Sequence, residues 1–499
     1  MSTTVEAFLT EINAQGQPVE EFLNYIDGQW VKCRNARTFD SINPADTREV
    51  VGRFQSSSAL DAEDAVNAAA AAFDAWRQTP IGQRARLLNK AADYLEDNAQ
   101  RFGEELSREE GKSVALGRDE FLRAAQTFRF YATEGQTFGG ESYPQDDADM
   151  AVFSQREPLG VVSVISPWNF PASIPARKLA PALVTGNTVV FKPSSDAPLS
   201  GLRLVEALIH AGLPKGVINY VTGRAGDVGP IITTSQAIRA ISFTGSTQAG
   251  MHIHRTVHLT TRLQMELGGK NPLLVMEDAD LDKAVDLAVK GGFSLTGQAC
   301  TGTSRVIVVK AVKEAFTEKL VARVKTLKIG RGDQPGMDLG PLATAKQLDT
   351  VLSYIEIGKR EARLLCGGEP LTGGEYAHGY YVTPAIFDGV TQKMRIAREE
   401  IFGPVIAIIE ANDFEHALAM ANDSEYGLSA AIATQNTRYI HRFTNEIQAG
   451  TVKVNRTTTG NLINAPFGGV KNSSTSTFRE SGRVGLEFFT QTKVIYRGL

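Results

Sequence analysis

The sequence predicts an α/β protein built on two parallel sheets, and three observations support this. At 499 residues the chain is several times the size of a usual single core, so two or three domains are expected. Short β-branched runs alternate with helical patterns in two successive series, the rhythm of parallel sheets with crossover helices. Two further strand-like stretches lie far apart in the sequence, outside both series, where they could pair with each other.

The opening stretch MSTTVEAFLTEINAQGQPVEEF alternates apolar with acidic and polar residues. It lacks the basic start and continuous apolar run of a signal peptide, and a short helix or arm is expected there. After Asn24, YIDGQWVKC reads as a hairpin turning at Asp27-Gly28, and NPADTREVVGRF as another extended piece. Alanine-rich stretches from Ala59 to about Asn98 and from Ala99 to about Gly135 carry apolar residues at three- and four-residue spacing. Two long amphipathic helices wrapping a sheet are expected.

The first strand series is GVVSVISP, NTVVFKPS, GVINYVTG and AIRAISFTG, each followed by a helical pattern. The second is NPLLVME, SRVIVVK, IAIIEA and SAAIATQ, with DLDKAVDLAVKGGF and VKEAFTEKLVARVKTL as helices, so a second domain begins near Glu266. The outlying stretches GGESYPQDDADMAVFSQREP and GLEFFTQTKVIYRG alternate in strand fashion. Exposed strands at a chain end need covering, which makes a subunit interface the natural expectation.

Composition narrows the function classes. With 52 Lys+Arg against 56 Asp+Glu and a net charge of −4, no broad basic field exists to hold nucleic acid or anionic membrane. The best apolar run, VVSVI, is strand-length, far short of the roughly 20 residues that span a bilayer. Three cysteines, Cys33, Cys300 and Cys366, are an odd and sparse set that fits a reducing compartment, so a cytoplasmic protein is expected.

Several residues carry chemical potential. Cys300 lies in FSLTGQACTGTSRV between Gly297 and Gly302, on a tight turn ahead of a strand. It reads as either a nucleophile or an inert buried thiol. Glu266 ends a strand-like run at the boundary of the two series, just before Gly268-Gly269. It is a general base acting on water, or a salt-bridge partner. Asn169 in SPWNFP donates to an oxyanion or caps the following helix. In FTGSTQAG, Gly245 and Ser246 present backbone N–H groups at a helix start, suited to a pyrophosphate or to turn formation alone. Lys192 and Ser195 in VVFKPSSDAP stand where an adenosine ribose or its 2′-phosphate would be met.

Three histidines, His252, His254 and His258, invite a metal reading that helical geometry opposes, because His252 is rotated roughly 160° from His254. No nearby carboxylate or Cys completes a ligand set, so no metal is expected. None of the seven histidines lies near Cys300 in sequence, so a Cys-His hydrolase lacks support.

Seven segments, ISPWNFP, VVFKPSS, FTGST, ELGGKNP, GQACTGTSR, EEIFGPV and PFGGVKNSS, occur in the order and spacing of the aldehyde dehydrogenase superfamily, over nearly the whole chain. The sequence resembles that family. The resemblance implies two Rossmann-like domains, cofactor-binding over 1-140 and 161-265 and catalytic over 266-483. It also implies a small β flap, strands 141-160 and 484-499, that builds a homodimer or homotetramer. It implies oxidation of a small aldehyde to an acid through a thioester on Cys300, with Glu266 as general base, Asn169 as oxyanion donor and Lys178 as the cleft lysine.

By the same resemblance Ile165, Trp168, Lys192, Ser195, Gly245, Ser246, Glu400 and Phe402 contact NAD or NADP, Phe467 faces the aldehyde, and Glu480 relays protons. Retention of Glu266 implies hydrolysis rather than transfer to coenzyme A. Ser195 stands where many NAD-specific members place a Glu, so NADP should be accepted. The wording VNRTTTG and KNSSTSTFRE is similar to bacterial dehydrogenases of 2-oxoglutaric semialdehyde, also called 2,5-dioxopentanoate. Arg456 there either grips a distal carboxylate or pairs with a neighbouring subunit. Succinic semialdehyde, a plain alkanal and a non-catalytic structural role are the rival expectations.

Overall fold

A computed structural model of the chain describes residues 8–12, 18–475 and 477–498. The first seven-stranded sheet runs, edge to edge, Arg262–Glu266, Ile238–Thr244, Val161–Ile165, Thr188–Lys192, Ile218–Tyr220, Asn24–Ile26 and Gln29–Val31. Its first five strands are parallel, and the last two are the hairpin that turns at Asp27-Gly28. Strand order reverses between Val161–Ile165 and Ile238–Thr244. In open α/β sheets such a switch point leaves a crevice beyond the strand C-termini, and here the Ser166–Phe170 and Gly245–Ser246 loops border it.

The second seven-stranded sheet runs Arg363–Cys366, Ala385–Asp388, Val405–Ala411, Thr303–Val309, Asn271–Val275, Ser429–Ala433 and Thr451–Val454. All its pairs are parallel except the outermost, Arg363–Cys366 with Ala385–Asp388. The sheets are joined directly: Glu266 ends an edge strand of the first, and Asn271 begins a central strand of the second. The third unit is a flap in which Thr490–Gly498 pairs antiparallel with Met150–Pro158 along its full length, with Ser142–Tyr143 beyond. The fold is thus the α/β architecture expected from sequence, two parallel-sheet units and a small β flap.

Three local expectations are corrected. The two long helices are four, Ala59–Gln78, Ile81–Asp97, Ala99–Glu110 and Val114–Thr137. Pro80 has no N–H to continue the first, and Gly111, at φ 94°, ends the third in the left-handed region. In the N-terminal stretch the described residues form strands: Phe8–Ile12 pairs with Pro18–Phe22, which in turn pairs with Val50–Gln55, while residues 1–7 and 13–17 lie outside the described residues. Period-two alternation is strand grammar, and the buried Glu21 is tolerated because Gln55 Nε2 and Lys32 Nζ each donate to it at 3.0 Å. The C-terminal strand starts only at Thr490, because Gly485–Phe488 forms a helical turn that buries Leu486 and Phe488 in the first core. Among the described residues, no helix is long and apolar enough to cross a membrane.

Candidate active site

Cys300 follows a strained passage. After helix Leu281–Phe293 the chain takes Leu295, Thr296 and Gly297 through φ of 54°, 53° and 74°, three successive left-handed residues. A side chain at Gly297 would collide with the Gly403 carbonyl. The next turn closes with the Gly302 amide donating to Ala299 O at 2.8 Å. Asn271 Nδ2 braces it by donating to Cys300 O at 2.8 Å and Gly302 O at 2.9 Å.

The turn opens Cys300 to a cleft of about 510 Å³, shared with Glu266, Glu480 and Phe467. Burial pushes the Cys300 thiol up to about 12, with the Glu400 and Glu266 carboxylates adding to the effect. Glu266 is 2% exposed, and neither carboxylate oxygen has a hydrogen-bond partner among the described residues. Burial first, then the charge of Glu480, raises its proton affinity well above the ordinary carboxylate range. Gly468, at φ 155°, leaves the space that the carboxylate occupies. A buried, unanswered carboxylate facing the same cleft as a thiol is suited to receive a proton from water.

Asn169 is buried, and its Nδ2 donates to Gln298 O at 2.9 Å, two residues before the cysteine. It does not cap the next helix. The Ser173–Val184 helix is capped instead by Glu120, whose Oε1 accepts the amides of Ala172 at 2.9 Å and Ser173 at 3.0 Å. Lys178, fully buried, donates to Glu480 Oε1 at 2.7 Å and Ser242 Oγ at 3.0 Å. Phe467 and Glu480 face each other as a backbone bridge pair, so one ladder rung carries a cleft wall and a cleft carboxylate.

Arg456 is not among the residues that line the cleft. Asn455, at φ 51° with its Nδ2 donating to Thr434 O, turns the chain so that Arg456 is exposed. Two other guanidiniums line the cleft, Arg123 from Val114–Thr137 and Arg177 from Ser173–Val184. They converge on Asn461 Oδ1, at 3.1 and 3.2 Å. Arg177 is 8% exposed, and its Nε has no hydrogen-bond partner among the described residues. Sequence reasoning missed both. A signal existed for Arg177, which with Lys178 interrupts an otherwise uncharged helix buried along its whole length.

The crevice at the switch point gathers the expected cofactor residues. Trp168 and Phe402 meet edge to face at 5.4 Å, both half-buried, as is Ile165. Glu400 lies across Gly268-Gly269, accepting the Gly269 amide at 3.0 Å, and burial pushes its carboxyl up to about 7. Ser246 is exposed and caps helix Thr247–Thr256, accepting the Ala249 amide at 3.3 Å, while at Gly245 a side chain would strike the Phe243 ring. Lys192 Nζ donates to Pro193 O at 3.0 Å, and burial holds the amine down to about 8. Ser195 Oγ donates to Gly223 O at 2.9 Å, and the exposed Asp196, not anticipated, follows it. An open helix N-terminus, polar groups at the neighbouring strand end and an aromatic pair fit a dinucleotide. His252 and His254 ride that helix while His258 lies beyond its end. Among the described residues no group of three His, Cys, Asp or Glu is placed to hold a metal.

Comparison with known proteins agrees with this geometry. The model of the aldehyde dehydrogenase family matches residues 30–495. The chain is 45% identical over 477 residues to the alpha-ketoglutaric semialdehyde dehydrogenase of Bacillus subtilis strain 168, covering 95% of this chain and 98% of that protein. It is 43% identical over 474 residues to the 2,5-dioxopentanoate dehydrogenase of Saccharolobus solfataricus, covering 94% and 98%. Among solved structures, the betaine aldehyde dehydrogenase of Staphylococcus aureus in complex with NAD+ superimposes with a TM-score of 0.93 at 33% identity, covering 95% of this chain and 94% of that one.

Proposed function

Because the chain belongs to the aldehyde dehydrogenase family and has its NAD(P)-binding fold, we propose that it oxidises a carboxylate-bearing semialdehyde, foremost 2-oxoglutaric semialdehyde, to the dicarboxylic acid. The observation carrying this reading is the guanidinium pair in the cleft. Arg123 and Arg177 meet at Asn461, and a buried donor left unanswered, such as Arg177 Nε, costs about 1–3 kcal/mol unless a ligand satisfies it. A substrate carboxylate answers both guanidiniums at once. Two curated relatives named for this aldehyde support the same choice.

The Cys300 thiol gives its proton to Glu266 in the same cleft as the sulfur adds to the aldehyde carbon, and Asn169 Nδ2, one hydrogen of which is held by Gln298 O, donates the other to the oxygen as it gains charge. Bound NAD(P)+ supplies the hydride acceptor. Trp168, Ile165, Glu400 and Phe402 would hold it beside Cys300, with Gly245, Ser246, Lys192 and Ser195 further out. Glu266 deprotonates the water that hydrolyses the acyl-Cys300 thioester, its two free oxygens and high proton affinity suiting it to that task. Lys178 and Glu480 form the buried pair that passes the proton on. Ser195 removes one carboxylate that would repel a 2′-phosphate, and Lys192 offers a cation there against the neighbouring Asp196, so NADP is expected to serve alongside NAD.

The test follows reduced-nicotinamide absorbance with NAD and with NADP, on 2-oxoglutaric semialdehyde, succinic semialdehyde and a plain alkanal. Cys300→Ala is expected to abolish the signal. Arg123→Leu is expected to lower kcat/KM for the carboxylate aldehydes by about 10- to 100-fold, while the alkanal stays within about two-fold. Preference for the alkanal, or equal losses on all three aldehydes, sinks the semialdehyde reading.

A further inference from the structure

One buried cation lies outside the chemistry assigned so far. Lys112 follows Gly111, the glycine that ends Ala99–Glu110, so the turn between two helices delivers its side chain inward rather than to solvent. Its side chain is 1% exposed. Nζ donates to Glu120 Oε2 at 2.6 Å and to the backbone carbonyl of Asn169 at 2.8 Å. It also sits 4.7 Å from the centroid of the Phe170 ring, with Glu110 Oε2 at 3.8 Å.

Glu120 completes the grip. While one of its oxygens takes Lys112, the other takes the amides of Ala172 and Ser173. The five-residue passage from Asn169 to Ser173 is therefore clamped at both ends by one ion pair. Its first residue is held through a carbonyl, and its last two through amides. The Asn169 side chain is tied separately to Gln298 O, on the nucleophile turn. Reorientation of Asn169 is thus opposed from two sides, at its side chain by Gln298 O and at its backbone by a charge-assisted bond from a buried ammonium. Placement of a donor matters because a displacement of about 1 Å at a reacting centre can cost about 100-fold in rate.

We propose that Lys112, held by Glu120, is a positioning residue that fixes Asn169 for donation to the oxyanion. The proposal rests on the reading of Asn169 as that donor. Lys112 and Glu120 also form part of the cleft wall, and the bond from Lys112 Nζ to Asn169 O is the route by which Lys112 reaches the oxyanion donor.

The experiment is a double-mutant cycle in the full chain, Lys112→Met and Asn169→Ala alone and together. It measures kcat on the preferred aldehyde, cofactor dissociation by fluorescence quenching, and thermal melting. Lys112→Met is expected to lower kcat by about 10- to 100-fold with cofactor affinity within about two-fold. Added to Asn169→Ala, it is expected to cost no more than about two-fold further, because two residues acting as a unit are not additive. If the two losses multiply, or if Lys112→Met keeps wild-type kcat, the positioning role is overturned while Asn169 keeps its own. If Asn169→Ala leaves kcat unchanged, the oxyanion reading itself fails. Lys112→Gln retains a neutral donor in the same space and carries the identical cycle should the methionine variant not fold.

Discussion

Two carboxylates bear on the Cys300 sulfur, and the larger charge effect comes from Glu400, itself raised to about 7. Below pH 7 Glu400 is mostly protonated and cannot hold the thiol proton by charge; above it, the carboxylate does. Glu400→Gln is therefore expected to speed alkylation of Cys300 by iodoacetamide at pH 8.5 by about 2- to 10-fold, less than a full pKa unit, and to leave the rate at pH 6 unchanged. Equal rates at both pH values would remove Glu400 from the thiol's environment. Glu266 was legible as a strand-end carboxylate at the junction of the strand series and Cys300 as a thiol on a turn between glycines, while only the family resemblance brought the two into one site. Arg456 was left between two readings because sequence shows a cation on a turn but not which way the turn faces, and here Asn455 turns it outward. Arg123 escaped notice because arginine on an amphipathic helix reads as solvated.

At the level of elements, the strand Thr188–Lys192 is buried along its length and carries its terminal lysine into the interior. That burial holds the Lys192 amine down to about 8, with the Asp196 charge opposing the shift. The neutral form gains as pH rises through 8, and the cation that a 2′-phosphate would meet is lost. The ratio of kcat/KM for NADP to that for NAD is accordingly expected to fall between pH 7 and 9, and a Lys192→Met variant to show a low, pH-independent ratio. A ratio that is flat in the parent enzyme would place the phosphate elsewhere. Strands such as this were readable from β-branched runs bounded by Gly and Pro. The helix breaks were not, since the apolar period of three and four runs unbroken across Pro80 and Gly111 while backbone chemistry interrupts it. The strand Pro18–Phe22 was missed for a different reason: one of its pairing partners, Val50–Gln55, lies some distance along the chain, and only tertiary pairing makes its alternation meaningful.

Across the whole molecule, the flap is the part least explained by a single chain. Val494 and Tyr496 on its C-terminal strand are 48% and 70% exposed, on a strand that pairs with Met150–Pro158 along one side and stands at the edge of the three-stranded sheet. Assembly of a dimer or tetramer through this flap is the expected use of that surface, and Tyr496→Asp is expected to lower the mass seen by light scattering without lowering the melting temperature of the first core. An unchanged mass would assign the flap another role. The join between the sheets has a consequence of its own. Only Leu267, Gly268, Gly269 and Lys270 separate Glu266 from Asn271, the residue that braces the Cys300 turn, a span of at most about 3.6 Å per residue. The tilt of one lobe on the other and the gap between base and sulfur are thus a single mechanical coordinate with almost no slack. Hydrostatic pressure or a crosslink between lobes acts on that coordinate, and turnover becomes its strain gauge.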